Sequence, residues 1–200
     1  DALPISGNIV HEALPKDMCP DIRSSYLANS SVAGLDEADM ILLIGTNPRV
    51  ETPVFNARIR KAYLNGVKIA LVGQPVDLTY PYQHLGKGLS AIEDIASGSP
   101  ILNEIKSAQK PMIIVGSSVL FRKDRDAILA AVFDISAKGG VVKKGWNGYN
   151  VLHDFASSVA ALDLGFVPSV SARSAPPAKF VYLLGSDDFT DEDIPDDAFV

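Results

Sequence analysis

The chain has 200 residues, 47% of them apolar, and a single cysteine, Cys19. That much apolar side chain builds a core and excludes a disordered chain, while one cysteine excludes an internal disulfide framework, a four-cysteine zinc site and a cysteine-held iron–sulfur cluster. The formal net charge is −6, but the acids Asp187, Asp188, Asp191, Glu192, Asp193, Asp196 and Asp197 crowd one stretch and leave the rest near neutral, which excludes the basic face of a nucleic-acid binder and a polybasic membrane patch.

Residues 1–32, with Pro4, Pro15 and Pro20, read as an irregular lead-in. Four apolar runs then each end in glycine: Met40 to Gly45, Val67 to Gly73, Met112 to Gly116 and Phe180 to Gly185. Short β-prone runs without alternation predict strands buried on both faces, as in a parallel sheet. Helix-length stretches fall between them: Val54–Leu64, Ser90–Ser97, Leu102–Ala108, Asp124–Ala137 with Gly139-Gly140 as a stop, and Asn150–Leu164 closed by Gly165. Lys138–Asn150 reads as a strand–loop stretch in which Trp146 packs locally, and Pro168–Ala178 as a loop. No apolar run approaches the ~18 residues of a membrane-spanning helix; Ile128–Phe133 is only a short one.

Strand, glycine, helix, strand predicts an α/β fold: a doubly wound, mainly parallel sheet with helices on both faces. The chain starts at Asp1 without a signal peptide or basic leader, and Ala198-Phe199-Val200 reads as an apolar run just beginning. The expectation is a segment of one α/β domain of a longer protein, incomplete at its C-terminal end.

Each glycine falls at the carboxyl end of a predicted strand, where open α/β sheets take their ligands. Polar residues follow: Thr46-Asn47, Gln74, Ser117-Ser118 and Ser186-Asp187. The most distinctive stretch is Gly45-Thr46-Asn47-Pro48-Arg49-Val50-Glu51-Thr52-Pro53. It leaves a strand and opens a helix, with Pro53 suited to the first turn and Thr52 to the N-cap. Free N–H groups at such a turn attract an anion. A capped helix explains the same residues, and the loop is neither a G-x-G-x-x-G fingerprint nor a Walker loop.

Gly-x-Asn-Pro with a further proline five residues on resembles the molybdopterin oxidoreductase superfamily. Further runs bring the likeness closer to one branch, the large iron–sulfur subunits of respiratory complex I. They are Asp21-Ile-Arg-Ser-Ser-Tyr26, Ser31-Val-Ala-Gly-Leu35, Ile44-Gly-Thr-Asn-Pro-Arg-Val-Glu51, Phe55-Asn-Ala-Arg-Ile-Arg-Lys61, Pro75-Val-Asp-Leu-Thr-Tyr80, His84-Leu-Gly86, Asp94-Ile-Ala-Ser-Gly98 and Val159-Ala-Ala-Leu-Asp-Leu-Gly165.

The resemblance implies a subunit of NADH:ubiquinone oxidoreductase, in which electrons pass from NADH toward ubiquinone through iron–sulfur clusters held by an amino-terminal part absent here. It implies neighbouring subunits of the peripheral arm as partners, no nucleic acid, no membrane insertion, and a place on the matrix side of the mitochondrial inner membrane or the cytoplasmic face of a bacterial one.

In pterin-binding relatives the second strand ends in Asp-Pro-Arg and a later loop carries Pro-Gly-Thr-Asp, whose acids bind guanosine. Here the strand ends in Gly73-Gln74-Pro75 and the loop reads Lys87-Gly88-Leu89-Ser90. The expectation is therefore a scaffold without cofactor or catalytic residue, in which Gly45, Thr46, Asn47 and Ser117 are vestigial contacts. The alternatives are a fragment of a pterin-guanine-dinucleotide oxidoreductase using those four residues, and a generic nucleotide-binding module. In the scaffold reading Arg49, Gln74 or Tyr80 would plug the crevice.

Other residues carry less. Cys19 reads as an ordinary thiol, and His11, His84 and His153 lack metal-ligand spacing. Ser117-Ser118 lacks the G-x-S-x-G of a nucleophile elbow. Arg49, Arg58, Arg60 and Lys61 read either as a solvated helix face or as a contact for an anion or a neighbouring subunit, and the acids after Gly185 as a solvated loop.

Overall fold

The computed structural model describes Met18 and residues 21–164, 179–183 and 194–199. The first strand, β1 (Met40–Ile44), leads into the short helix α1 (Pro48–Glu51) and then α2 (Pro53–Leu64). Next come β2 (Lys68–Val72), β3 (Gln83–Gly86), α3 (Gly88–Ala96), α4 (Pro100–Ser107), β4 (Pro111–Val115), α5 (Ser117–Leu120) and α6 (Arg125–Gly139). The small hairpin β5 (Val142–Lys143) and β6 (Trp146–Asn147) precedes β7 (Tyr149–Val151) and α7 (Ser158–Asp163).

The main sheet is parallel throughout, in the order β3-β2-β1-β4-β7. Strand β1 is central: Met40–Ile44 lies in register with Lys68–Val72 on one side and Pro111–Val115 on the other. Every residue of β1 and β4 is buried, which is why both read as unbroken apolar runs. Side chains still alternate between faces. Met40, Leu42 and Ile44 pack with Ile92, Ile105, Val132 and Ile135 of the layer formed by α3, α4 and α6. Ile41 and Leu43 face Ile59 and Ala62 of α2, together with Leu35, Leu78 and Tyr80. The α/β fold expected from the sequence is present, with a helix on each face of a parallel sheet.

Two expectations are corrected, and one strand was not foreseen. Asn150–Leu164 is not one helix. Tyr149–Val151 is pulled into the sheet beside Ile113–Val115, and only Ser158–Asp163 is helical. The edge strand β3 falls on Gln83–Gly86, where polar and half-exposed residues hide it from a search for apolar runs. The strand expected from Phe180 is not part of the sheet in its described residues: Phe180 makes an isolated parallel bridge to Phe199 and is 61% exposed. Leu184 and Gly185 lie outside the described residues, as do Cys19, His11, the Pro168–Ala178 loop and most of the acidic stretch.

Gly140 ends α6 in the left-handed region, at φ 63°, as its place after a helix predicts. Thr52 sits at the N-cap of α2 but makes no capping bond with its side chain, while Pro53 occupies the first turn as expected. Among the described residues no helix is long and apolar enough to cross a membrane.

Candidate functional site

The strand order reverses between β1 and β4, so the crevice outside their carboxyl ends is where an open α/β sheet takes a ligand. Gly45 and Gly116 meet there. Gly116 N–H donates to the Ile44 carbonyl at 2.9 Å and Gly45 N–H to the Val72 carbonyl at 2.8 Å. The backbones are so close that a Cβ on residue 116 would lie 2.2 Å from the Gly45 carbonyl oxygen. Gly45 has φ +56°, and a Cβ there would lie 2.5 Å from Val119 Cγ2. Ser118 Oγ donates to the Gly45 carbonyl at 2.6 Å. The first turn of α5 therefore packs closely over the Gly45 end of the switch point.

The other vestigial candidates are tied within the fold. Thr46, 5% exposed, donates its hydroxyl to Glu51 Oε2 at 2.9 Å, and Asn47 N–H donates to Glu51 Oε1 at 2.6 Å. A carboxylate of this chain thus occupies the start of α1. Ser117, also 5% exposed, donates to Asp154 Oδ1 at 2.8 Å just past β7. Asn47 Oδ1 and Thr52 Oγ1 are buried without a partner, at about 1–3 kcal/mol for each unsatisfied atom.

The residues expected to plug the crevice do other work. Arg49 pairs with Asp77 at 2.6 Å; the Thr79 amide and this guanidinium hold the Asp77 carboxyl below its ordinary range. Tyr80 donates its hydroxyl to Asn56 Oδ1 at 2.8 Å inside the second core layer, and burial pushes that phenol up. Gln74 alone stays near the crevice. It lines a cavity of about 180 Å³ with Gly45, Gly73, Lys87, Gly88, Ser118, Val119 and Arg122. A wider groove of about 610 Å³, bordered by Tyr63, Val67, Pro81 and Tyr82, lies at the amino ends of β2 and β3, away from the strand-end loops.

Within the basic group, Arg58 and Lys61 both reach Asp36, at 2.6 and 3.3 Å. His84 Nε2 bonds the Gly73 carbonyl at 2.8 Å and His153 Nε2 the Tyr26 carbonyl at 2.6 Å. No group of His, Cys, Asp and Glu able to hold a metal ion occurs among the described residues.

The molybdopterin oxidoreductase family pattern matches residues 7–200, and the chain belongs to that family. Within it, the chain is similar to subunits of one respiratory enzyme. It is 45% identical over 197 residues to the mitochondrial NADH dehydrogenase [ubiquinone] iron-sulfur protein 1 of Solanum tuberosum, covering 98% of this chain and 27% of that protein. It is 47% identical over 182 residues to the mitochondrial 78 kDa subunit of NADH-ubiquinone oxidoreductase of Candida albicans, covering 90% and 25%. It is 39% identical over 175 residues to the 75 kDa subunit of Reclinomonas americana, covering 84% and 25%. The chain spans about a quarter of the length of these relatives.

The family name implies a pterin cofactor, and the crevice residues do not match one bearing a guanine dinucleotide. Ligand pockets run from about 300 to 1,000 Å³, and this cavity is about 180 Å³. No carboxylate among the described residues lines it, so the donor edge of a guanine would meet Lys87, Arg122 and Gln74 rather than a carboxylate.

Proposed function

We propose that this chain is a cofactor-free scaffold within the large iron–sulfur subunit of respiratory complex I, bracing the peripheral arm on the matrix side of the mitochondrial inner membrane. The observation that carries the reading is the narrow crevice: Gly116 closes on Gly45, and the space left beside them, lined by Ser118 and Val119, is about 180 Å³. A domain evolved around a dinucleotide needs that space open. The small carboxylate-free cavity and the internal ties of Thr46, Asn47 and Ser117 support it further. The loop after β1 turns polar groups inward, the Thr46 hydroxyl and the Asn47 N–H both bonding to Glu51.

In this role the segment carries no reactive residue. It acts by holding its neighbours in place, so its loss acts through assembly. The partners are other subunits of the same complex, and electrons from NADH pass through clusters held elsewhere in the parent protein.

The test is to substitute a core residue such as Leu43, fully buried in β1, by Ala in the complete complex. The reading predicts less assembled complex with unchanged NADH:ubiquinone turnover per assembled particle. Normal assembly with reduced turnover per particle would contradict it.

A further inference from the structure

Helix α2 has two apolar sides, and the core uses one of them. Ile59 and Ala62 turn inward and pack with Ile41 and Leu43 of the sheet. The opposite side carries Val54, Ala57, Lys61 and Leu64. Steps of three, four and three residues are the a/d spacing of a helix that pairs with another helix. Val54 and Leu64 are 66% and 67% exposed, and Ala57 and Lys61 lie exposed between them. Val50 of α1, four residues earlier in the chain, is 74% exposed as well. Single exposed apolar residues are ordinary. A row of them in helical register, over about three turns, marks a contact surface.

The charge on this side has one sign. Helix α2 holds Arg58, Arg60 and Lys61 and no acid. In the same heptad frame Arg58 and Arg60 flank the seam at the e and g positions, where ion pairs between helices select the partner. Asp36 serves Arg58 and Lys61 together, and Arg60 has no ion pair among the described residues. Three cations therefore face one carboxylate. A second copy of the chain does not suit such a seam, because pairing about a twofold axis would set these cations against their own kind. A lipid surface suits it less than a helix does, because the seam lacks the Trp and Phe that seat a helix in a membrane interface. Small Ala57 at its middle lets another helix approach closely, and the contact side chains set that distance.

We infer that the outer face of α2 is a docking seam for an amphipathic helix of another subunit of the assembled enzyme, one whose apolar stripe is flanked by Asp and Glu. That the partner is a subunit rests on the scaffold reading; the seam and its charge do not. The apolar row supplies the contact, and the unmatched cations supply the choice of partner.

The test is made in the complete complex. A photoreactive benzoylphenylalanine in place of Ala57 is irradiated, and the adduct is mapped by mass spectrometry. The expected product joins α2 to a helical segment of another subunit that carries acids beside its apolar residues. Arg60→Glu and Leu64→Glu are each expected to lower retention of that subunit at least tenfold after a salt wash. Arg60→Lys should retain it, as should Val142→Glu, a control at a residue 54% exposed on the small hairpin. An adduct with lipid, with the parent chain itself or with a segment free of acids would overturn the assigned partner. Absence of any adduct, or full retention in both Glu variants, would overturn the seam. Equal loss in Val142→Glu would do the same, since the effect would then be general. Failure here leaves the outcome of Leu43→Ala untouched, so the two readings fall separately.

Discussion

Gly116→Ala tests the closed switch point most sharply. The added Cβ would lie 2.2 Å from the Gly45 carbonyl oxygen and 2.7 Å from Thr46 Cβ. Both neighbours belong to the β1 exit, so no flexible side chain can swing away. Relief requires the ends of β1 and β4 to part by about 1 Å, given ordinary C···O contacts near ~3.3 Å. Overpacking of this kind costs about 1–3 kcal/mol. Strain on the bond from Gly116 N–H to the Ile44 carbonyl adds about 0.5–1.5 kcal/mol. The sum, about 3 kcal/mol, lowers the melting temperature of a domain this size by roughly 6–12 °C. Gly140→Ala is the control: its positive φ of 63°, unlike the −78° of Gly116, disfavours alanine, but it has open space around it; about 1 kcal/mol is expected there. Urea unfolding of the two variants measures the difference. Equal, small losses at both positions would refute the close approach at residue 116 and with it the narrowed crevice.

Two tyrosines give a paired prediction. Tyr80→Phe strips the donor from buried Asn56 and should cost about 1–3 kcal/mol, whereas Tyr149→Phe removes a buried hydroxyl without a partner and should be neutral or stabilising by denaturant midpoint. A pH prediction follows from Asp163, whose carboxyl is held below its ordinary range chiefly by the Arg23 hydrogen bond, with that of Tyr26 next. A depressed folded value means the stabilisation is present above the unfolded value near ~3.9 and is lost as pH falls through the folded value. Exchange at the Val151 amide, which donates to the Leu27 carbonyl, should therefore lose protection more steeply below about pH 4, once corrected for the intrinsic pH dependence of amide exchange, in the native protein than in Asp163→Asn; parallel profiles would contradict this.

What the sequence made legible has a physical boundary. Strands β1, β2 and β4 could be read because burial on both faces demands continuous apolar residues, and each ends at a glycine where backbones converge. Strand β7 could not, because three residues carry no period, and Asn150 belongs there through bonds to Ser30 that are 120 residues away in sequence. The Arg23–Asp163 ion pair, 140 residues apart, is invisible for the same reason. At the candidate site, Gly45, Thr46, Asn47 and Ser117 were correctly placed at strand ends. Of the side chains expected there, Gln74 lines the crevice while Arg49 and Tyr80 do not: the glycines mark a close approach, but which side chains meet it depends on where α5 packs. That is a tertiary fact, as are the ties of Arg49 to Asp77 and Tyr80 to Asn56.

The central claim is that a family fold built around a pterin persists here without it. The most direct measurement is on the purified parent protein: molybdenum and tungsten by mass spectrometry, with fluorescent pterin after acid oxidation, in a preparation that retains its iron. The account predicts neither metal and no pterin. Metal and pterin approaching one per chain would contradict it and make the loop after β1 a working cofactor site.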